Sequence, residues 1–229
     1  NGHTGSVNTA IFSCGDGAVV VTASADNTAK IWSLEGGELL HDLNEHTEAI
    51  KALSISADGK YVVTGSDDKT AKVWELHTGR FLHSLDGFLE NLSISADGKY
   101  VAMGSRNMKV KLWDLSTGRW LYDLVGHQDF VSALSISPDG QYVVTGSRDK
   151  TAKVWALEDG RLLHTLKGHM HSITSLSISS DGKHIITGSK DKTAKVWSLD
   201  KSLLMHELER HNRLIHSVSI SPNDQYVVT

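Results

Sequence analysis

The chain has 229 residues, a formal net charge of −4 and a single cysteine, Cys14. The negative charge argues against a protein that binds nucleic acid or an anionic membrane through its overall field. One cysteine leaves no disulfide framework and is typical of a reducing compartment, so we expect a cytoplasmic protein. No apolar run is long enough to span a membrane as a helix.

An internal repeat is marked by five tryptophans, Trp32, Trp74, Trp113, Trp155 and Trp197. They recur about every 40 residues, and the copies are close: 61–74 reads YVVTGSDDKTAKVW and 142–155 reads YVVTGSRDKTAKVW. Short β-branched and aromatic runs alternate with turn residues, which favours strands over helices. A unit of this size cannot bury its own apolar faces, so we expect the copies to stack against each other.

In chain order, the units span 3–43, 46–85, 87–124, 127–166 and 169–208, with a partial sixth at 211–229. The fourth unit shows the predicted pattern of four strands, at 131–137, 142–145, 151–155 and 161–166. Short polar turns join them, such as Ser-Pro-Asp-Gly at 137–140, so each unit is expected to be an antiparallel meander. We therefore predict one all-β domain over 1–229, a β-propeller of five complete four-stranded blades and part of a sixth.

Two short motifs recur in phase with the repeat. Gly-His stands near the start of a unit at 2–3, 126–127 and 168–169, and a tryptophan ends the third strand. One unit carries a literal Trp-Asp, Trp113–Asp114. Over essentially its whole length the chain thus resembles the WD-repeat β-propeller family. Because propellers of that family most often have seven blades, the resemblance implies an excerpt of a seven-bladed ring, with the remaining blades supplied by sequence outside these residues.

The resemblance also implies a structural hydrogen-bond network of His, Asp, Ser or Thr, and Trp within a blade. Its members in four units would be His3, Asp26 and Trp32; His46, Asp68 and Trp74; His127, Asp149 and Trp155; His169, Asp191 and Trp197. In the fourth unit the hydroxyl would come from Thr145 or Ser147. A buried polar group without a partner is costly, so we expect the members to be present or absent together.

The third unit departs from this pattern at three positions at once. Phe88 takes the place of the histidine, Asn107 that of the aspartate and Met103 that of Thr145. The coordinated loss predicts that this blade is the least regular of the five.

Family propellers usually bind partners on the face that carries the loop before the first strand and the turn between the second and third strands. The aligned candidates for partner binding are Arg106, Arg148, Lys190, Phe88, Phe130, Lys51 and Asp67. The position of Lys51, five residues past the histidine, is occupied by Asn8, Ser132 and Thr174 in other units. Arginine and aromatic residues anchor many protein interfaces, so we expect a protein or peptide partner that is acidic or phosphorylated. The alternative is that these are ordinary solvated charges at tolerant positions.

Evidence for catalysis or a metal is weak. The histidines and aspartates recur in four of the five complete units, whereas a reactive site is usually singular, and no nucleotide-binding, zinc-protease or hydrolase motif occurs. His169 and His171 lack a third zinc ligand. We therefore predict no catalytic residue, no metal and no cofactor.

The function that this sequence favours is a non-catalytic protein-interaction platform, the scaffolding or sensing module of a larger multidomain protein. Two alternatives stay open. One is a hydrolase-type propeller with a site at the central channel, where Glu90 is the one acidic candidate. The other is a propeller that binds nucleic acid through Arg106, Arg148 and Lys190, which the net negative charge makes less favourable.

Overall fold

The computed structural model describes residues 2–13, 18–87, 91–105, 107–201, 203–209 and 211–229. These residues form 22 β-strands and no helix, so none of them belongs to a helix that could cross a membrane. Five sheets contain four strands each, and a sixth contains two. The predicted all-β fold class, with five complete blades and part of a sixth, is confirmed.

The first sheet contains β1 (Val7–Ser13), β2 (Val19–Ser24), β3 (Ala29–Ser33) and β4 (Leu39–Leu43). The second contains β5 (Ile50–Ile55), β6 (Tyr61–Ser66), β7 (Thr70–Glu75) and β8 (Phe81–Asp86). The third contains β9 (Asn91–Ile94), β10 (Tyr100–Gly104), β11 (Lys109–Asp114) and β12 (Arg119–Val125).

The fourth sheet contains β13 (Val131–Ile136), β14 (Tyr142–Ser147), β15 (Thr151–Ala156) and β16 (Leu162–Lys167). The fifth contains β17 (Ile173–Ile178), β18 (His184–Ser189), β19 (Ala194–Ser198) and β20 (Leu203–Leu208). The two short strands β21 (Ser219–Ile220) and β22 (Val227–Val228) pair with each other. In every four-stranded sheet, spatial order follows chain order, which is the predicted meander.

The chain divides into two compact units. The first unit comprises Asn1–Met103 and Leu112–Leu121, and the second comprises Gly104–Lys111 and Tyr122–Thr229. The first two sheets lie in the first unit, and the fourth and fifth sheets lie in the second. The division passes through the third sheet. A single repeat domain over 1–229 stays a prediction.

Within each unit the core lies between consecutive sheets. In the first unit, Val21 and Ile31 of the first sheet share a buried cluster with Ile50 and Trp74 of the second. In the second unit, the fourth and fifth sheets meet in the same way, as Val144 and Trp197 illustrate. In both pairs one sheet therefore buries an apolar face against the next copy, as a stacked repeat requires.

The hairpin of β14 and β15 is tighter than the sequence pattern predicts. β14 continues through Ser147 because that residue still pairs with Val131, after a bulge between Val131 and Ala133. Lys150 closes the turn with a φ of 71°, a left-handed conformation that is uncommon for residues other than glycine. The turn is thus a short, sharply bent element whose tip begins at Arg148.

Candidate interaction surface

Four side chains of the fourth sheet form one chain of hydrogen bonds. His127 Nδ1 lies 2.7 Å from Asp149 Oδ2, and His127 Nε2 lies 2.7 Å from Thr145 Oγ1. The Trp155 indole N–H donates to the same threonine oxygen at 2.9 Å. Thr145 therefore supplies the hydroxyl of the network. Ser147, the alternative, instead accepts the backbone N–H of Asp149.

The direction of each bond follows from what its atoms can donate. The carboxylate of Asp149 only accepts, so His127 must carry its proton on Nδ1. His127 Nε2 is then an acceptor and takes the hydroxyl proton of Thr145, whose oxygen in turn accepts the indole N–H of Trp155. Thr145 Oγ1 therefore bonds both the imidazole of His127 and the indole of Trp155.

The same arrangement recurs in the first, second and fifth sheets. The three sets are His3, Asp26, Thr22 and Trp32; His46, Asp68, Thr64 and Trp74; His169, Asp191, Thr187 and Trp197. In each set the shortest Nδ1–carboxylate contact and the Nε2–hydroxyl and indole–hydroxyl contacts lie between 2.7 and 3.0 Å. At the start of the sixth repeat, His211 Nε2 also contacts the Thr229 hydroxyl.

Burial and hydrogen bonding move the pKa values of this network in consistent directions. Burial alone would raise the pKa of Asp149, but bonds from His127, Thr151 and the Gln128 backbone outweigh it and hold that pKa well below its usual range. Burial lowers the pKa of His169, against the opposing effect of Asp191. The carboxylates are therefore ionised and this imidazole is neutral near pH 7.

The third sheet lacks this chemistry at the positions that the structure describes. Met103, which replaces the threonine, is almost fully buried and offers no hydroxyl. Asn107 keeps part of the aspartate's role in the turn, since its Oδ1 accepts the Lys109 N–H at 3.2 Å. Phe88 lies outside the described residues. That this sheet is the least regular stays a prediction.

The network fixes the turn that presents the predicted docking residues. The carboxylate of Asp149 accepts the backbone N–H groups of Gln128 and Thr151, which ties the loop before β13 to the turn before β15. Arg148, at the tip of that turn, donates its backbone N–H to the Phe130 carbonyl at 2.9 Å. Asp149 faces inward and Arg148 points its exposed side chain to solvent.

Arg148 and Phe130 form a stacked pair. The Arg148 guanidinium carbon lies 4.9 Å from the centre of the Phe130 ring, within the range of a cation–π contact. The equivalent residue of the fifth sheet, Lys190, is held likewise by a bond from its N–H to the Ser172 carbonyl at 3.0 Å. Among the described residues, neither Arg148 nor Lys190 has a carboxylate within salt-bridge distance.

The corresponding positions of the second sheet are neutralised. Lys51 and Asp67, both predicted partner-binding residues, form a salt bridge of 3.5 Å with each other. Their side chains are 47% and 51% exposed, so the pair lies at the surface. The remaining predicted residues, Phe88 and Arg106, lie outside the described residues, as do Glu90 and Cys14.

Repeats that match one family model cover most of the chain. Five segments match the model of the WD40 family, described as WD domain, G-beta repeat, at residues 1–33, 37–75, 79–114, 118–156 and 160–198. The chain belongs to the WD40-repeat family. A search of curated protein sequences found no match. WD40 repeats generally mediate protein–protein interaction and are typically non-catalytic.

The boundaries of the WD40 sequence repeat and those of the four-stranded sheet differ by one strand. The matched segment 160–198 contains β16, the outer strand of the fourth sheet, and then β17 to β19 of the fifth. Segment 37–75 joins the first and second sheets in the same way. Each of these two segments therefore links two consecutive sheets covalently, and its tryptophan lies at the end of the third strand of the later sheet.

Three polar residues of the predicted docking face instead join consecutive sheets of the WD40 chain. Asn8 donates to the Ile50 carbonyl at 2.8 Å, and Ser132 and Thr174 donate to the first carbonyls of β17 and of the following repeat, those of Ile173 and Ile215. The signal for this role was a small polar side chain at the same position of three repeats. Lys51 stands at that position in the second sheet, where it pairs with Asp67 instead.

The geometry gives no support for a metal site in the described part of the chain, where no group of three or more His, Cys, Asp or Glu side chains could hold an ion. His169 is already engaged by Asp191 and Thr187. Its neighbour His171 accepts the backbone N–H of Ser172 through Nδ1 at 2.8 Å. Both histidines thus have structural roles in the loop before β17.

Proposed function

We propose that this WD40 chain is a non-catalytic protein-interaction platform that binds an acidic segment of a partner protein, as the scaffolding or sensing module of a larger multidomain protein. The observation that carries the proposal is the pair of Arg148 and Phe130, an exposed guanidinium stacked on an aromatic ring with no carboxylate partner among the described residues. Arginine and aromatic side chains of this kind dominate the binding energy of many interfaces.

The charges of the turn tips support an acidic partner for the second unit. The turns of the fourth and fifth sheets carry two cations each, Arg148 with Lys150 and Lys190 with Lys192, all of them exposed. The acidic residues between them, Asp149 and Asp191, are each only 8% exposed and face their histidines. A partner carboxylate or phosphate would therefore meet positive charge first, which favours association and sets its salt dependence.

The first unit offers a natural comparison. Its turn tips carry Ala25 and Asn27 in one sheet and Asp67 and Lys69 in the next, and Asp67 is paired with Lys51. An exposed pair of this kind contributes little energy and leaves little net charge for a partner. The proposal therefore places the principal docking surface on the second unit, with Lys51 and Asp67 in a secondary role.

The test is a direct binding measurement with short fluorescent peptides on a serine-glycine background, one rich in glutamate and one rich in lysine. Arg148→Glu should weaken binding of the acidic peptide by about tenfold or more, because it replaces attraction by repulsion. The melting temperature should stay nearly unchanged, since the side chain is exposed. A matched control is Arg161→Glu, an exposed arginine of the same sheet that pairs weakly with Asp159.

Two outcomes would overturn the proposal. One is equal affinity of the wild type and Arg148→Glu for the acidic peptide. The other is that a single-stranded oligonucleotide binds better than the acidic peptide, with an affinity that falls steeply with salt as phosphates are neutralised. The second result would identify a nucleic-acid surface.

We also propose that the chain works in the cytoplasm. The support is its composition, since one cysteine in 229 residues suits a reducing compartment. A fluorescent fusion of the parent protein tests this proposal, and accumulation in the secretory pathway would contradict it.

A further inference from the structure

The guanidinium of Arg148 is held in one orientation by its surroundings. Its backbone is tied to the Phe130 carbonyl, and its guanidinium lies over the Phe130 ring. The nearby Asp129 carboxylate accepts the Phe130 N–H at 2.7 Å and forms no ion pair with Arg148. Because the guanidinium donates two parallel N–H groups, this geometry suits the oxygens of a phosphate better than a lysine would.

Lys190 occupies the same point of the next sheet within the second unit. Its N–H bonds the loop carbonyl of Ser172 just as that of Arg148 bonds Phe130. The two sheets are joined beside these loops by the hydrogen bond from Ser132 to the Ile173 carbonyl. A segment that crosses both turns thus meets a guanidinium and then an ammonium.

An exposed apolar residue, Met170, is hydrogen-bonded through its backbone to the residue after Lys190. The backbone N–H of Met170 donates to the Asp191 carboxylate at 2.8 Å, and Asp191 directly follows Lys190 in the chain. Met170 is 77% exposed, the highest value for any large apolar residue in the part of the chain that the structure describes. A flexible, polarizable methionine at a fixed backbone position is well suited to pack against an apolar side chain of a partner.

We propose that the partner segment carries a phosphorylated residue bound by Arg148 and, close to it, a large apolar residue that packs on Met170, with Lys190 adding positive charge. This inference rests on the proposed function and names the chemistry of the partner. The phosphate would bring up to two negative charges and three acceptor oxygens to Arg148 and Lys190, which have no carboxylate partner among the residues described. The apolar neighbour would cover a side chain that otherwise stays in water.

The experiment compares three peptides on one background: phosphoserine flanked by leucines, glutamate flanked by leucines, and phosphoserine flanked by glycines. The first should bind about tenfold more tightly than the second. The reason is that phosphate oxygens accept both guanidinium N–H groups and carry more negative charge than a carboxylate. Arg148→Lys should remove most of that advantage, whereas the matched Arg161→Lys should not. Met170→Ser should weaken the leucine-flanked phosphopeptide several-fold and leave the glycine-flanked one unchanged, and Met205→Ser is its control.

The possible failures are distinguishable. Equal affinity for the phosphoserine and glutamate peptides would overturn the phosphate assignment while leaving acidic docking in place. An equal effect of Met170→Ser on the leucine- and glycine-flanked peptides would overturn the apolar contact. If neither acidic peptide binds while the melting temperature is normal, the proposed function itself fails.

Discussion

At the scale of single residues, the threonine hydroxyl is the centre of each repeated network. Thr145 donates to His127 and accepts from Trp155, so one oxygen satisfies two buried polar groups. The sequence predicted the histidine, aspartate and tryptophan but left Thr145 and Ser147 as equals. Both are hydroxyls two residues apart on one strand, and only the structure shows that Ser147 is engaged by the following turn.

Replacing Thr145 by valine tests this role because valine keeps the shape and removes the hydroxyl. The indole N–H of Trp155 and Nε2 of His127 would lose their partner in a fully buried place. We expect the free energy of unfolding to fall by about 2 kcal/mol or more, measured by urea denaturation. Thr117→Val, at an exposed turn, should change it little, and a similar small effect at Thr145 would contradict the network.

The network also predicts that acid destabilises the fold. Burial lowers the pKa of His46 and His169 below 6.5, so the unfolded chain takes up protons there before the folded chain does. The folded pKa values of Asp149 and Asp191 are lowered too, which extends the loss of stability below their ordinary value of 3.8.

Stability should therefore be highest above about pH 6.5 and fall as pH decreases, in urea denaturation between about pH 7.5 and about pH 5. The double variant His46→Gln, His169→Gln should be less stable overall but depend less on pH in this range. His77→Gln, at an exposed turn, is the control. A wild-type stability that rises with acid would contradict the assignment of neutral imidazoles.

At the scale of strands and sheets, close contact between copies depends on glycine. A Cβ added to Gly146 would lie 2.6 Å from Cγ2 of Ile173, the first residue of the next sheet in the second unit. Gly188 stands in the same relation to Ile215. The glycine of the repeated Thr-Gly-Ser sequence therefore leaves room for a β-branched residue of the following repeat. The sequence pattern alone does not show this contact.

This contact can be tested by a pair of substitutions. Gly146→Val should cost about 1–3 kcal/mol of stability through overpacking, and Ile173→Ala should cost about 2–5 kcal/mol through a cavity. Because the valine would fill space vacated by Ile173, the double variant should lose clearly less stability than both losses together. Strict additivity in urea denaturation would show that the two residues do not share one space.

The strands themselves were largely predictable, since the alternation of apolar runs and turn residues is strong and repeated. The joints between sheets were not. Asn8, Ser132 and Thr174 are the second residues of β1, β13 and β17, and their acceptors lie one repeat further along the chain. A hydrogen bond over such a sequence distance leaves no local pattern, so these residues were assigned to the docking face.

At the scale of the whole molecule, near-identical repeats differ mainly in the charges that they expose. Four sheets carry the same residues of the structural network. The residue at the turn tip, in contrast, differs between them: Ala25, Asp67, Arg148 and Lys190. The sequence thus predicted where variation is tolerated. It could not show that Asp67 is neutralised by Lys51 whereas Arg148 stacks on Phe130, because both contacts depend on side-chain geometry.

The central prediction is that these exposed cations determine which partner segment binds. The most direct measurement is the affinity of the wild type and of the double variant Arg148→Glu, Lys190→Glu for a glutamate-rich peptide and for its lysine-rich counterpart. We predict that the wild type binds the acidic peptide and the variant prefers the basic one, at unchanged melting temperature. A variant that still binds the acidic peptide as tightly as the wild type does would contradict the account.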